Sequence, residues 1–189
     1  MSPSTTRTAH SKRTLEMTFI AIFVVLIAIC SWISIPTAVP FTLQTFAISM
    51  TVLMLGGRRG TISILVFILL AAIGVPVLSG FSGGLGVLLG PTGGYILGFL
   101  LTALVYWLLT KLFGESLPVR LGAILTGIAV MYLFGTLWFV KVYTAGGDSI
   151  TFGGALMLCV VPFLIPEVIK QVLAFTLSAR LRPHIHLDD

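Results

Sequence analysis

The sequence predicts an all-α membrane protein with six transmembrane helices. Of its 189 residues, 57% are hydrophobic and only 9% are charged, whereas a soluble domain carries about 25% charged residues. The apolar residues are grouped in uncharged segments, most of them about as long as a helix needs to cross ~30 Å of hydrocarbon. Most of the surface is therefore expected to face lipid.

The predicted spans follow one another with short connections. They cover residues 17–35, 43–55, 60–73, 94–113, 121–140 and 155–179. The second and third are short, and Gly56-Gly57-Arg58-Arg59-Gly60 between them prevents one continuous helix through the bilayer centre, because glycine and buried charge are both unfavourable there. We expect a disordered basic cytoplasmic tail over residues 1–14, one membrane domain over 15–182 and a cytoplasmic tail over 183–189.

The basic residues predict the orientation. The net charge is +5, but the cations are distributed as topology signals rather than as a nucleic-acid-binding patch. With a cytoplasmic N-terminus, nine of the eleven basic residues fall on the cytoplasmic side, as the positive-inside bias requires. These nine are Arg7, Lys12, Arg13, Arg58, Arg59, Lys111, Arg120, Arg180 and Arg182. We therefore predict a plasma-membrane protein with both termini inside and no nucleic-acid partner.

The outer connections are the candidate ligand-handling side. Prolines 36 and 40 interrupt any helix after the first span, residues 74–93 are rich in glycine, and residues 141–153 form the last outer loop. A cleaved leader over residues 1–39 is less favoured, since its removal would leave an odd number of spans. Cys30 and Cys159 lie in apolar segments, so neither a disulfide, a metal nor a cofactor is predicted.

Glu167 and Lys170 are the most informative pair, because both lie inside the sixth span. An ionisable side chain at mid-membrane costs about 2.5–3.5 kcal/mol on insertion scales. At i,i+3 spacing the two share a helix face and can neutralise each other. Glu167 is predicted in the first turn of a helix that restarts at Pro166 as its first residue. The pair is either a structural ion pair or the polar floor of a ligand site, and the second is favoured.

A glycine-rich cluster supplies further candidates around Ser79, Ser82, Gly83 and Tyr95. Glycines let backbone amides approach a ligand, although an ordinary flexible loop is the alternative. No phosphate-binding loop is present, because no Lys follows the glycines in the required spacing. Trp138, near the outer end of span five, is either an interfacial anchor or a pocket wall.

An enzymatic alternative rests on Gly80-Phe81-Ser82-Gly83, which fits the nucleophile motif of rhomboid intramembrane proteases. A serine nucleophile needs a base within hydrogen-bond reach. The three histidines lie in the cytoplasmic tails, across the bilayer from Ser82, which leaves only Lys170 as a candidate base. No catalytic residue is therefore predicted, and a transport protein is favoured over a protease.

Several motifs in register resemble the BioY family, the biotin-specific S components of energy-coupling factor (ECF) transporters. They are Val39-Pro40-Phe41-Thr42-Leu43-Gln44-Thr45, Gly57-Arg58-Arg59-Gly60, Gly74-Val75-Pro76-Val77, Gly83-Gly84-Leu85-Gly86, Leu89-Gly90-Pro91-Thr92-Gly93-Gly94-Tyr95-Ile96-Leu97-Gly98-Phe99, Gly135-Thr136-Leu137-Trp138, and Pro162-Phe163-Leu164 through Ile169-Lys170. The resemblance implies a six-helix S-component fold that captures biotin from outside beneath the loop over residues 74–93. It also implies docking on a transmembrane coupling protein driven by a separate ATPase pair.

Two positions depart from the family pattern. Glu167 stands where members usually carry Asp, and the small-residue docking pattern of helix one is reduced here to Ala21 and Val25. On this resemblance Glu167 accepts a ureido N–H of biotin and Lys170 donates to either the ureido oxygen or the carboxylate. Ser79, Ser82 and Gly83 belong to the head site, and Gln44, Tyr95 and Trp138 are candidates for its walls. A subunit for another small vitamin is the alternative function.

Overall fold

The computed structural model describes residues 9–35, 41–147 and 149–184, and within them the chain is almost entirely helical. The helices are α1 Ala9–Trp32, α2 Gln44–Ala72, α3 Leu85–Leu89, α4 Gly93–Phe113, α5 Leu117–Ala145, α6 Phe152–Cys159 and α7 Leu164–Leu181. Strands β1 Ser34–Ile35 and β2 Phe41–Thr42 pair antiparallel. Short 3₁₀ turns cover Ser79–Phe81, Val161–Phe163 and Arg182–His184.

The outside of the bundle is apolar, as a lipid-facing surface requires. Five helical segments in the described part of the chain are long and apolar enough to cross a membrane. Large side chains such as Ile165 and Ile73 are 78% and 77% exposed. Monomeric soluble proteins rarely expose continuous apolar surface of this kind. The predicted all-α membrane class is confirmed.

Helix α2 is interrupted at Gly56, as its glycine and arginine cluster predicts. Gly56 has a left-handed φ of 76° within otherwise helical backbone. Beyond Gly56 the chain turns back on itself. A short distance shows this: a Cβ added at Gly60 would lie 2.9 Å from the Cα of Val52. In an unbroken helix those residues would be about 12 Å apart at ~1.5 Å per residue. Two antiparallel arms are the arrangement that six spans require, and the six-span count itself stays a prediction.

Helices α4 and α5 pack closely through glycines. A Cβ at Gly94 would lie 2.3 Å from the Cβ of Trp138, and one at Gly135 would lie 2.2 Å from the ring of Tyr95. Farther along, Gly98 faces Met131 in the same way. Small residues allow two helix backbones to approach within a membrane, where packing replaces the hydrophobic effect as the driving force. Each of the two aromatic rings is therefore seated on a glycine of the opposite helix.

The last membrane segment is divided in two. Helix α6 ends at Cys159, a 3₁₀ turn contains Pro162, and α7 begins at Leu164. The predicted restart at Pro166 is wrong by two residues, because the first N–H groups of a helix need no intrahelical partner and proline is tolerated throughout the first turn. Glu167 lies in that first turn, as predicted.

Several predicted boundaries shift. Helix α5 continues to Ala145, so Lys141 is helical, and the connection to α6 that was predicted over residues 141–153 covers only 146–151. Helix α1 begins at Ala9, within the segment predicted as a tail. Residues 1–8 and 185–189, and the proline segment over residues 36–40, lie outside the described residues.

The connection from α2 to α4, residues 73–92, forms a cap over the end of the bundle. Hydrogen bonds and an aromatic contact hold it to the neighbouring helices. The indole of Trp32 donates to the carbonyl of Pro76 at 3.0 Å and stacks on Phe81 with ring centroids 5.0 Å apart. The hydroxyl of Ser31 donates to the carbonyl of Val77. Gly84 N donates to the carbonyl of Ala71 at 2.6 Å. These contacts hold the cap against α1 and the end of α2.

Candidate ligand-binding site

A cavity lies beneath this cap, at the end of the bundle where α2 and α4 begin. It encloses about 700 Å³ of space not filled by atoms, counted with its open mouth. Its lining comprises Phe41, Thr42, Gln44, Thr45, Leu78, Ser79, Val87, Thr92, Tyr95, Ile96, Phe99, Met131, Tyr132, Cys159, Phe163, Glu167 and Lys170.

Glu167 and Lys170 form an ion pair in the wall of the cavity. Lys170 Nζ lies 2.6 Å from Glu167 Oε2, and each residue is only 5% exposed. Their i,i+3 spacing puts both on the face of α7 that packs against α2. Thr45, in the first turn of α2, connects them: its hydroxyl accepts from Lys170 Nζ at 2.6 Å and donates to Glu167 Oε2 at 2.9 Å.

Further side chains and a backbone carbonyl form hydrogen bonds with both charges. Glu167 Oε2 also accepts from the hydroxyl of Tyr132 at 3.2 Å, and Oε1 accepts from Gln171 Nε2 at 2.7 Å. Lys170 Nζ donates in addition to the carbonyl of Thr42 at 3.2 Å. The three protons of the ammonium thus have three acceptors within the protein. A ligand acceptor must therefore displace one of the bonds of Lys170 Nζ, whereas Glu167 Oε1, which accepts one bond in the described structure, can accept a second from a ligand donor.

The cavity has aromatic walls beside the charges. Lys170 Nζ lies 4.7 Å from the ring centroid of Phe41, within cation–π range. Phe41 stacks on Phe163 with ring centroids 5.7 Å apart. On the opposite side the hydroxyl of Tyr95 is 3.0 Å from that of Thr136, which orients the phenol ring. These walls suit a ligand with an apolar body and a polar end.

In the wall of the cavity, Gln44 places a hydrogen-bond donor without a partner among the described residues. Its side chain is buried at 4% exposure and lines the cavity. Within the described residues, its Nε2 atom has no hydrogen-bond partner. A buried donor without an acceptor costs about 1–3 kcal/mol. A ligand oxygen placed next to Gln44 would recover that free energy.

The structure brings together five of the eight residues predicted to bind ligand. Ser79, Tyr95 and Gln44 line the cavity with Glu167 and Lys170. Ser82, Gly83 and Trp138 lie outside its lining and support the cap and the helix packing instead.

Each of these three residues has a defined contact. The hydroxyl of Ser82 donates to the carbonyl of Ser79 at 2.7 Å. A Cβ at Gly83 would lie 2.4 Å from the carbonyl oxygen of Val75, so only glycine fits there without a shift. The indole of Trp138 donates to the carbonyl of Gly90 at 3.0 Å, which ties α5 to the end of the cap.

Sequence reasoning did not single out Thr45, Tyr132, Gln171 or Phe41. Gln171 has a readable signal, because it stands four residues after Glu167 on the same helix face. Thr45 and Phe41 lie in a segment already quoted as a motif, next to Gln44. Tyr132 has no local signal, since it lies on a different helix and reaches Glu167 only through a hydrogen bond in the folded protein.

Ala21 and Val25, the residues predicted for partner docking, lie on the outer face of α1. Both are exposed, Val25 by 56%. Their spacing of four residues puts them on one side of the helix. The face is therefore free to meet another membrane helix in the described structure.

Comparison with known proteins identifies the family. The family model described as the BioY family matches residues 4–186. The chain belongs to the BioY family. Similar curated relatives of this family are the "Probable biotin transporter BioY" of Pyrococcus horikoshii, 36% identical and covering 88% of this chain and 96% of the relative, and the "Biotin transporter BioY" of Thermotoga maritima, 38% identical over 85% and 92%. The "Biotin transporter BioY2" of Lactococcus lactis is 38% identical over 84% and 85%.

A solved structure has the same fold. The S-component for biotin from an ECF-type ABC transporter, determined by crystallography, aligns with a TM-score of 0.80 at 28% identity. The alignment covers 93% of this chain and 95% of that one. The chain therefore has the ECF S-component fold and belongs to a family of multi-pass membrane transport proteins.

Proposed function

We propose that this chain is the biotin-capturing subunit of an ECF-type vitamin uptake transporter and has no enzymatic activity of its own. The observation that carries the proposal is the buried Glu167–Lys170 ion pair in the wall of a cavity with aromatic sides. Relatives that align over nearly their whole length are named biotin transporters. Two charges are kept in the membrane at a cost that a ligand site explains.

The chemistry of biotin complements the cavity. The ureido ring offers two N–H donors and one carbonyl oxygen, which match the carboxylate of Glu167 and the ammonium of Lys170. The thiophane ring and the valeryl chain suit Phe41 and Tyr95. The free amide of Gln44 donates to a ligand oxygen, either the ureido carbonyl or the carboxylate. Binding then replaces a bond of the Lys170 ammonium and gives an acceptor to Gln44 Nε2, which has none among the described residues.

The proposal includes partners and an orientation. Six spans with both termini in the cytoplasm put the cavity near the outer face of the plasma membrane, which is where an uptake protein meets its cargo. The exposed face with Ala21 and Val25 docks on a transmembrane coupling protein. A separate ATPase pair supplies the energy, since the chain carries no phosphate-binding loop.

The protease alternative is not favoured. The hydroxyl proton of Ser82 is directed to the carbonyl of Ser79, and the ammonium of Lys170 is engaged by Glu167 and Thr45. A lysine in an ion pair does not accept a proton from a serine. A subunit for a different small vitamin stays the second candidate, because a saturated ion pair and aromatic walls suit other heterocycles with adjacent donors and acceptors.

Titration of the purified protein and of Gln44→Leu with biotin tests the proposal. The variant removes a buried donor that has no partner, so we expect the empty protein to be at least as stable as the parent. Loss of a hydrogen bond to the ligand should weaken biotin binding by about 1–3 kcal/mol, which is roughly five- to 150-fold. Calorimetry gives the affinity, and thermal unfolding of the empty protein gives the stability.

The two measurements separate a binding role from a structural one. If Gln44→Leu lowers stability and affinity together, Gln44 supports the fold rather than the ligand. If the parent protein does not bind biotin but binds another vitamin in the same titration, the family fold stands and the choice of cargo is wrong.

A further inference from the structure

A second cavity lies at the opposite end of the bundle, where the arms of α2 meet and α4 ends. Lys111 in its lining is sixteen residues from Tyr95 of the ligand site, roughly 24 Å along α4 at ~1.5 Å per residue. The cavity holds about 890 Å³ of space not filled by atoms, counted with its open side. Its lining comprises Glu16, Ile20, Leu55, Gly56, Gly57, Arg58, Arg59, Ile62, Trp107, Thr110, Lys111 and Glu115.

The charges of this cavity are not balanced. Arg59 engages Glu16 through two nitrogens, at 2.8 Å and 3.2 Å. Arg182 engages Glu115. Both carboxylates of the lining are thereby neutralised. Arg58 and Lys111 are exposed and have no carboxylate partner within the described residues, so the cavity presents two uncompensated positive charges.

One wall of the same cavity is apolar and open to the lipid side. Ile62 is 39% exposed and Trp107 is 37% exposed. The backbone of Gly57 packs closely against Trp107, since an added Cβ would lie 2.6 Å from the Cα, Cβ and Cδ1 atoms of Trp107. Tryptophan is enriched where hydrocarbon meets headgroups. Basic rim and apolar wall therefore adjoin at the depth of a membrane interface.

We propose that this cavity binds the headgroup of an anionic phospholipid. Its phosphate pairs with Arg58 and Lys111, while the glycerol and the first acyl carbons lie along Ile62 and Trp107. Basic pockets between transmembrane helices at the cytoplasmic side are a recognised arrangement for anionic headgroups. A soluble anion would contact only the cations, whereas a phospholipid contacts both the cations and the apolar wall. The site is separate from the ligand site and independent of the cargo.

Lipid retention measured by native mass spectrometry tests this proposal. The purified protein is mixed with phosphatidylglycerol or with phosphatidylcholine, and the bound lipid is counted after release from detergent. We expect selective retention of phosphatidylglycerol by the parent protein. Arg58→Gln with Lys111→Gln should weaken retention roughly thirtyfold, since each basic residue near a membrane surface contributes about 1 kcal/mol.

A matched control is Lys141→Gln, which removes one exposed charge from the far end of α5. It should retain lipid as the parent does, whereas Lys111→Gln alone should show part of the loss. The double variant should keep the parent affinity for biotin, which shows that its fold is intact.

Three results would overturn the proposal. Equal retention of phosphatidylcholine and phosphatidylglycerol would show that the cavity does not select lipids by their net charge. Displacement of the lipid by millimolar inorganic phosphate would show a site for a soluble anion. Unchanged lipid retention by the double variant, with loss of assembly onto the coupling proteins, would show a protein-docking surface instead.

Discussion

Replacing Lys170 by methionine separates the ligand-binding role of the ion pair from its structural role. Methionine keeps an apolar stem of similar length beside Phe41 but removes the bonds to Glu167 Oε2 and Thr45 Oγ1, both 2.6 Å long. Glu167, 5% exposed, becomes a buried carboxylate without a cation. Breaking a buried pair in this way costs about 3–5 kcal/mol. For a chain of 150–250 residues that corresponds to a melting temperature lower by roughly 6–20 °C.

We expect Lys170→Met to weaken biotin binding even in the fraction of the protein that stays folded. Truncation of one partner of a buried, hydrogen-bonded charge pair weakens a complex by about 2–5 kcal/mol, or roughly thirtyfold to several-thousandfold. Glu167→Gln combined with Lys170→Met removes both charges, and we expect it to regain most of the lost stability without regaining affinity. Thermal unfolding in detergent and calorimetric titration measure the two quantities on the same samples.

The control variant is Lys141→Met, which removes an exposed lysine at the far end of α5 and should change neither quantity. The reasoning is refuted if Lys170→Met keeps the parent affinity for biotin while folded. It is also refuted if the double variant melts as low as the single one, because the two charges would then be uncoupled.

The remaining predictions concern packing and orientation. Gly94→Ala puts a methyl group against Trp138 and should destabilise the protein by about 1–3 kcal/mol; Gly122→Ala, in open space on α5, should be neutral or slightly stabilising, and equal melting temperatures for the two would refute the packing argument. For the orientation, a cysteine at Lys141 should react with a membrane-impermeant maleimide in intact cells, and one at Lys111 only after permeabilisation. Reaction of both, or the reverse pattern, would contradict cytoplasmic termini.

The sequence predicts the class and the central ion pair of this protein well, because both follow from the free energy of placing particular residues in a membrane. Long uncharged segments have few stable alternatives to membrane helices. Two charges inside such a segment, Glu167 and Lys170, are costly there and therefore indicate a functional site. The break at Gly56 is equally readable, since glycines and arginines cannot continue a helix through hydrocarbon.

What the sequence does not show is which side chains meet across the bundle. Tyr132 reaches Glu167 only because α5 and α7 lie beside the same cavity, and no periodicity reports that distance. The glycines before Tyr95 suggest amide donors to a ligand, yet Gly94 accommodates an aromatic ring of the neighbouring helix. Trp138 has the same composition signal whether it anchors a helix at the interface or, as here, fastens the cap through Gly90.

An uptake protein spends much of its life without cargo, and the hydrogen bonding around Glu167 and Lys170 suits that state. The ion pair carries no net charge, and both side chains form hydrogen bonds within the protein. Release of the vitamin therefore leaves no unpaired charge in the membrane, and the subunit stays folded between transport cycles. Binding of the ligand exchanges hydrogen bonds within the protein for hydrogen bonds of similar strength to the ligand. Such an exchange favours reversible release over permanent capture.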